Sequence, residues 1–359
     1  MSRKPDKPLR KGWTTGACAT AAVRAAYEAL LTGAFSDPVS ITLPKGEQPS
    51  FALVHSDLGD NHAEAAVVKD AGDDPDVTHG ATVMARVALA LAGTGVVFRA
   101  GEGVGTVTLP GLPVAVGEPA INSAPRAMMI AEIEALAAAY GAPGDVGITI
   151  SIAGGATLAA KTWNPRLGII GGLSILGTTG VVIPYSCSAW IHSIHSGIDV
   201  AQATGRDHVA GATGKTSEAA VQALYGLDDT ALLDMGDFAG GMLKYLRRNP
   251  VPRLTIAGGF GKLTKLAQGA LDLHSSRSQV DFGRLAEALA DLGAAPDVVA
   301  RAQDANTAME VLGLATDLPI AEVIARQARE VALATLAGDI AVDVVVFDRQ
   351  GKLIGHAGP

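Results

Sequence analysis

The stretch RLTIAGGFGKLTKLAQ, residues 253–268, decides the fold. Arg253 to Ala257 reads as a strand, Gly258-Gly259-Phe260-Gly261 as a tight turn, and Lys262 to Gln268 as a helix. Glycine lets backbone approach a ligand closely, and amides at a helix N-terminus favour an anion. Outward from this unit the same rhythm recurs. Asp207 to Ala212 is strand-like, Ser217 to Tyr225 helical, Ala231 to Met235 strand-like and Phe238 to Leu246 helical. Helical patterns fill most of 282–336, and Val342 to Phe347 is a continuous apolar strand. Strands alternating with helices imply parallel pairing through right-handed crossovers. The spacing therefore predicts a Rossmann-like α/β domain with a mostly parallel sheet over residues 166–359.

Residues 1–165 have a different rhythm. An alanine-rich helix is expected from Ala17 to Leu31, with Thr14 and Thr15 as hydroxyl caps and Gly33 as its stop. Phe51 to Ser56 and Ala63 to Lys69 read as a hairpin around Gly59-Asp60-Asn61. Arg126 to Tyr140 is an amphipathic helix, and Val146 to Ile152 with Thr157 to Lys161 reads as a hairpin across Gly154-Gly155. Hairpins mixed with helices predict an α+β domain.

Composition bounds the function. The 359 residues are 48% hydrophobic and 18% charged, with a net charge of −8, so a folded core is expected and a nucleic-acid footprint is not. Residues 151–275 hold ten basic and eight acidic residues, against eleven and sixteen in 1–150 and seven and twelve in 276–359. An anionic ligand is expected at that middle segment. Between Arg166 and Asp199 no charged residue occurs, but Gly168, Gly171, Gly172, Gly177 and Gly180 interrupt the run. That pattern reads as buried strand and glycine loop rather than membrane span. The basic start MSRKPDKPLRKGW lacks the apolar run of a secretory signal. Two cysteines, Cys18 and Cys187, give no disulfide framework, so a cytoplasmic location is expected.

Several constellations bear on chemistry. Asp70, Asp73, Asp74 and Asp76 crowd one loop beside Lys69, as a general base, a positioning group, a hard-cation site or a solvated acidic turn, though the spacing is not that of a calcium loop. Gly214-Lys215-Thr216 fails as a phosphate loop, because position 209 is Val209 rather than glycine. The full dinucleotide fingerprint with an acid at the next strand end is not found. Cys18 near a helix start is a reactive thiol or a small buried side chain. Cys187, His192 and His195 fall short of a ligand set, and no protein-bound metal is expected.

Taken together, GWTTGACATAA (12–22), VVKDAGDDPDVTHG (67–80), GEGVGTVTLPGL (101–112), AINSAPRAMM (120–129), AAKTWNPRLGIIGGLSILGTTGVVIPYS (159–186) and GGFGKLTKLAQGALDLHS (258–275) resemble one family. It is the CbiD family of cobalamin biosynthesis, the cobalt-precorrin-5B C1-methyltransferases. The chain departs from the pattern at Phe260, where a histidine is common, at Ala156-Thr157, and at Cys187-Ser188. The resemblance implies methyl transfer from S-adenosylmethionine to a ring carbon of a cobalt-precorrin tetrapyrrole, with no nucleic acid, no membrane and a homo-oligomer allowed. It also frames the site. Gly171, Gly172, Ser174, Gly177, Thr178, Thr179 and Gly180, with Gly258, Gly259 and Gly261, are expected to hold the donor at one edge of the parallel sheet. Asp70, Asp73 and Asp74 are the candidate base or positioning groups. Lys69, Arg126, Lys161, Arg166, Lys262, Lys265 and His274 are the expected cationic surface for the many carboxylates of the macrocycle. The alternative is a non-catalytic tetrapyrrole- or nucleotide-binding protein of the same pathway.

Overall fold

The structure, a computed structural model, describes residues 8–358. The first seven residues of the basic start lie outside the described residues. The chain divides into two units, 1–186 and 187–359. The first is built on helix α1 (Thr15–Thr32), strands β1 (Leu53–Leu58), β2 (His62–Val68), β3 (Thr82–Leu89) and β4 (Val96–Ala100), helix α2 (Ser123–Tyr140) and strand β5 (Val146–Ile152). The sheet order is β1-β2-β3-β5-β4, antiparallel except that β4 runs parallel to β5. Its period-two pattern explains why only one face is covered. Ala63, Ala65, Val67, Val83, Ala85, Val87, Ile148 and Ile150 are buried in one cluster with α1 and α2. Glu64 and Arg86, on the opposite face, form an exposed ion pair at 2.9 Å.

Helix α1 forms as its sequence demands. The Thr14 side chain accepts from the Ala17 N–H at 3.2 Å, and Gly33 takes φ 80° to close the last turn on Ala29. Alanine at most inner positions lets α1 lie close to both α2 and the sheet. Cys18 is fully buried in this seam, and burial pushes its thiol up to about 12, so the small buried side chain is the correct reading.

Two sequence expectations change here. Gly155–Ala159 is a helical turn, not the second arm of a hairpin. The partners of β5 are β3 and β4, and a Cβ at Gly155 would sit 2.2 Å from the Gly103 carbonyl oxygen, so a distant segment claims that glycine. The domain boundary moves from 165/166 to 186/187. Residues 169–170 pair with 106–107 and residues 181–182 with 12–13, which fastens the glycine-rich run to the first unit.

The second unit contains helix α3 (Cys187–Ala203), strand β6 (His208–Ala212), helix α4 (Lys215–Tyr225), strand β7 (Leu232–Asp234), helix α5 (Ala239–Leu246), strand β8 (Arg253–Gly259) and helix α6 (Phe260–Ala267). Helices α7 (Phe282–Asp291), α8 (Pro296–Gln303), α9 (Ala308–Leu314) and α10 (Ile320–Leu336) follow, then strands β9 (Ala341–Phe347) and β10 (Leu353–Ala357). The sheet order is β7-β6-β8-β9-β10, with the first four strands parallel and β10 antiparallel. Both faces are apolar, as parallel strands require. Val209, Leu254, Ile256, Val342, Val344 and Val346 pack with α3, α5, α6, α7 and α10. Ala210, Ala212, Ala257, Val345 and Phe347 pack with Val221 of α4 on the other side. Strand β10 was not foreseen from the sequence. No helix is long and apolar enough to cross a membrane among the described residues.

Candidate active site at the carboxyl edge of the parallel sheet

From β6 the chain crosses by α4 to β7 on one side, then returns past β6 to β8 on the other. The helices after β6 and β8 cover opposite faces, so the switch point at which an open α/β sheet forms its crevice lies between the carboxyl ends of these strands. One wall is Thr213-Gly214 and the other is Gly258-Gly259, joined by the Thr213 N–H donating to the Ala257 carbonyl at 2.9 Å. The glycines here have two uses. A Cβ at Gly258 would meet the Thr213 side chain at 2.9 Å, so that glycine serves packing. A Cβ at Gly214 would find nothing within 4 Å, at Gly259 only the Phe347 carbonyl oxygen at 4.0 Å, and at Gly261 only the Ala308 Cβ at 3.6 Å. These three leave room beside bare backbone, which fits a ligand that approaches main chain.

The loop 171–180 is otherwise arranged. It belongs to the first unit and is not part of the parallel sheet, so the two glycine stretches do not share one sheet edge. A Cβ at Gly172 would lie 2.2 Å from the Gly103 carbonyl, at Gly177 2.5 Å from Thr14 Oγ1, and at Gly180 2.5 Å from Leu43. Buried Ser174 donates to Asn164 Oδ1 at 3.1 Å, Thr179 bonds the backbone of Val181, and Gly171 and Thr178 are exposed. Gly172, Gly177 and Gly180 are thus taken up by close packing within their own unit, the first against backbone and the other two against side chains.

Lys262 and Lys265 build the site rather than offer free charge. Lys262 is ion-paired with Asp237 and donates to the Leu273 carbonyl at 3.3 Å, and Lys265 donates to the same carbonyl at 3.1 Å. Burial lowers the Lys265 ammonium pKa. The Leu273 N–H in turn donates to the Asp237 carbonyl at 2.8 Å, which fastens the 269–278 loop beside the crevice. His274 is exposed on that loop, its Nδ1 2.7 Å from Ser276 Oγ.

The remaining predicted residues lie in the first unit. Asp70 binds the Arg10 guanidinium and the Gly72 N–H, and its carboxyl is held down to about 2, chiefly by the Arg10 hydrogen bond. Asp73 accepts from the Arg10 N–H at 2.6 Å and Asp74 from the Tyr185 N–H at 2.7 Å. Asp76 is joined to the buried ammonium of Lys69 and to Thr78. The acidic loop is thus a set of joints. A carboxyl held near 2 is a weak proton acceptor, and Lys69, 2% exposed, is already paired. Arg126 donates from Nε to the Ile121 carbonyl at 2.8 Å, pairs with Glu118 at 3.1 Å and lies over Phe98. Lys161 is exposed, and the Arg166 guanidinium lies 5.2 Å from the Trp163 ring centroid. Of the second unit's histidines, His195 stacks on Tyr245 at 3.9 Å, so it is a packed ring. Among the described residues no group of three or more His, Cys, Asp or Glu could hold a metal ion.

One acid escaped the sequence reading. Asp234 ends β7, in register with Ala212 of β6, and follows Gly214 by about twenty residues, the spacing of the ribose-binding acid in open α/β nucleotide sites. Counting from the Gly258 turn misses it. Counting from Gly211-Ala212-Thr213-Gly214, the first strand-to-helix turn of the sheet, finds it.

The family model described as CbiD matches residues 2–184, and the one described as CbiD, C-terminal domain, matches residues 272–358. A Brucella canis protein named cobalt-precorrin-5B C(1)-methyltransferase is 63% identical over 359 residues, covering 99% of this chain and 98% of its own. A Paramagnetospirillum magneticum protein of the same name is 61% identical, covering 98% and 99%. The solved structure of a cobalamin biosynthesis protein (cbiD) from Archaeoglobus fulgidus is 26% identical, with a TM-score of 0.40 over 75% of this chain and 83% of that one. On the full-length likeness and the matched models, the chain belongs to the CbiD family.

Proposed function

We propose that the protein is a C-methyltransferase that places the methyl group of S-adenosylmethionine on C-1 of cobalt-precorrin-5B, giving cobalt-precorrin-6A. The observation that carries this reading is the 61–63% identity, over 98–99% of the chain, to relatives named for that activity. The second unit is read as a Rossmann-like donor domain, supported by its parallel strands and the switch in strand order between β6 and β8. Thr213, Gly214, Gly259 and Gly261 would line the donor, and Gly258 would set the spacing of the two walls. When bound, S-adenosylmethionine supplies a methyl group already activated on a sulfonium sulfur. The protein's share is therefore alignment and exclusion of water rather than covalent catalysis. Exposed Lys161 and the neighbouring Arg166 are the cationic pair proposed for the macrocycle's carboxylates, and His274 is a further candidate on the 269–278 loop. The reaction is assigned to the cytoplasm.

The test is incubation of the full chain with cobalt-precorrin-5B and methyl-labelled S-adenosylmethionine. One label per macrocycle is expected, and tetrapyrrole that remains unlabelled in the presence of both compounds refutes the reading. Parallel titrations with S-adenosylhomocysteine and NAD separate the donor from a dinucleotide, with binding of the first alone expected.

A further inference from the structure

We infer that Lys215, Arg349 and Lys352 form a cationic rim for the carboxylates of the macrocycle, at the same carboxyl edge of the second unit's sheet as the proposed donor site. This rests on the methyltransferase reading above. Strand register brings the turn between β9 and β10 to that edge. Gly259, the last residue of β8, pairs with Phe347, the last residue of β9, and the chain then turns back through Asp348-Arg349-Gln350-Gly351-Lys352. The turn rests on α4. A Cβ at Gly351 would lie 3.6 Å from the Ala220 Cβ and 3.7 Å from Thr216 Cγ2. Thr216 belongs to the first turn of α4, which starts at Lys215, directly after Gly214. The backbones of Lys215, Arg349 and Lys352 are thus gathered within two residues of one contact. The turn itself is fixed. Asp348 Oδ1 accepts from the Gln350 N–H at 2.9 Å and the Lys352 N–H at 2.8 Å, the Asp348 N–H donates to the Lys352 carbonyl at 2.9 Å, and Gly351 takes φ 82°. A fixed backbone leaves only side-chain freedom to be lost on binding.

Charge identifies the ligand. The side chains of Lys215, Arg349 and Lys352 are exposed, and among the described residues none of them makes an ion pair or a hydrogen bond. Lys262 and Arg277 differ, being paired with Asp237 and Asp272. The acids nearest in the chain are taken up, Asp348 by two backbone N–H groups and Glu218 by a contact of its own. S-adenosylmethionine sets one carboxylate against an ammonium and a sulfonium, so it is a net cation and is repelled by such a cluster. A macrocycle bearing many carboxylates is the complementary partner, and a guanidinium can grip one of them with two parallel hydrogen bonds. The Gly214-Lys215-Thr216 string, which fails as a phosphate loop, thereby acquires a use: its lysine is one of three cations that the β9–β10 turn completes.

The experiment titrates the full-length protein with cobalt-precorrin-5B, followed by the absorbance of the macrocycle, at about 0.01 M and about 1 M salt. The triple variant Lys215→Ala, Arg349→Ala, Lys352→Ala is expected to bind the tetrapyrrole roughly tenfold more weakly than wild type at low salt and nearly as well at high salt. Its affinity for S-adenosylhomocysteine and its melting temperature are expected to stay at the wild-type values, since the three side chains are exposed. Arg349→Lys combined with Lys352→Arg, which keeps both charges, should recover most of the loss. Unaltered tetrapyrrole affinity in the triple variant overturns the inference alone, as does a loss that added salt leaves intact or one confined to S-adenosylhomocysteine. A wild-type protein that binds no cobalt-precorrin-5B overturns the methyltransferase reading and this inference with it.

Discussion

Gly172, Gly177 and Gly180 in the first unit resemble Gly214, Gly259 and Gly261 in the other by sequence alone, yet the two sets have opposite surroundings. A Cβ on the first three runs into Gly103, Thr14 and Leu43 at 2.2–2.5 Å, and a Cβ on the other three meets nothing closer than 3.6 Å. In one place the missing side chain admits the protein's own backbone, at Gly172, or its own side chains, at Gly177 and Gly180. In the other it leaves space beside strand ends, where an open α/β sheet receives a ligand. Glycine density thus marks close approach without saying by what, and the partner is identified only when the fold brings it near.

The largest effect that would break this contrast is expected at Gly172. Gly172→Ala forces a methyl group into the Gly103 carbonyl, at a cost of about 3 kcal/mol or more in the first unit. Thermal unfolding should report this as a fall of about 6–12 °C. A variant that melts with wild type would mean that the segment is not laced as described. Gly259→Ala is the converse. Its φ of −75° suits alanine and its surroundings are open, so stability should move by no more than about 0.5 kcal/mol. Calorimetry should nevertheless show S-adenosylhomocysteine binding weakened at least about tenfold, and full affinity would return this glycine to ordinary turn chemistry.

The smallest effect separates the acidic loop from a catalytic base. The folded pKa of Asp70 is lowered from 3.8 to about 2, so its contribution is present above the unfolded value and is lost as pH falls from about 4 towards 2. The Asp70 side chain is 44% exposed, and screening keeps the contribution to at most about 1 kcal/mol. Asp70→Asn should therefore flatten the acid limb of the stability profile while leaving the methyl-transfer rate at neutral pH unchanged. A large loss of kcat at neutral pH with an unchanged melting temperature would restore the loop to the chemistry.

What could be read beforehand follows the range of the interaction. Helix α1 is written locally in Thr14, a run of alanines and Gly33, and the β6-to-β9 alternation is written in short apolar strands split by helices. Gly155 resembled a hairpin corner because the Gly103 carbonyl that needs it is some fifty residues away. Lys262 and Lys265 resembled ligand cations because Asp237 reaches Lys262 from the turn after β7, and the Leu273 carbonyl reaches both from the 269–278 loop after α6. Asp234 was overlooked because which glycine turn comes first in the sheet is a fact of strand order.

The pairing of Gly12–Trp13 with Val181–Val182 also sets a timetable for synthesis. The amino-terminal strand and the apolar α1 beside it emerge from the ribosome about 170 residues before their last partner. At about 5–20 residues per second that interval is roughly ten to thirty seconds. Throughout it, an alanine-rich helix with thirteen residues destined for burial lacks its final cover. The second unit begins at Cys187, just after that gap closes, and its first parallel pair needs only the stretch from His208 to Asp234. The nascent first half is accordingly the part of this protein that a holding chaperone is best placed to meet.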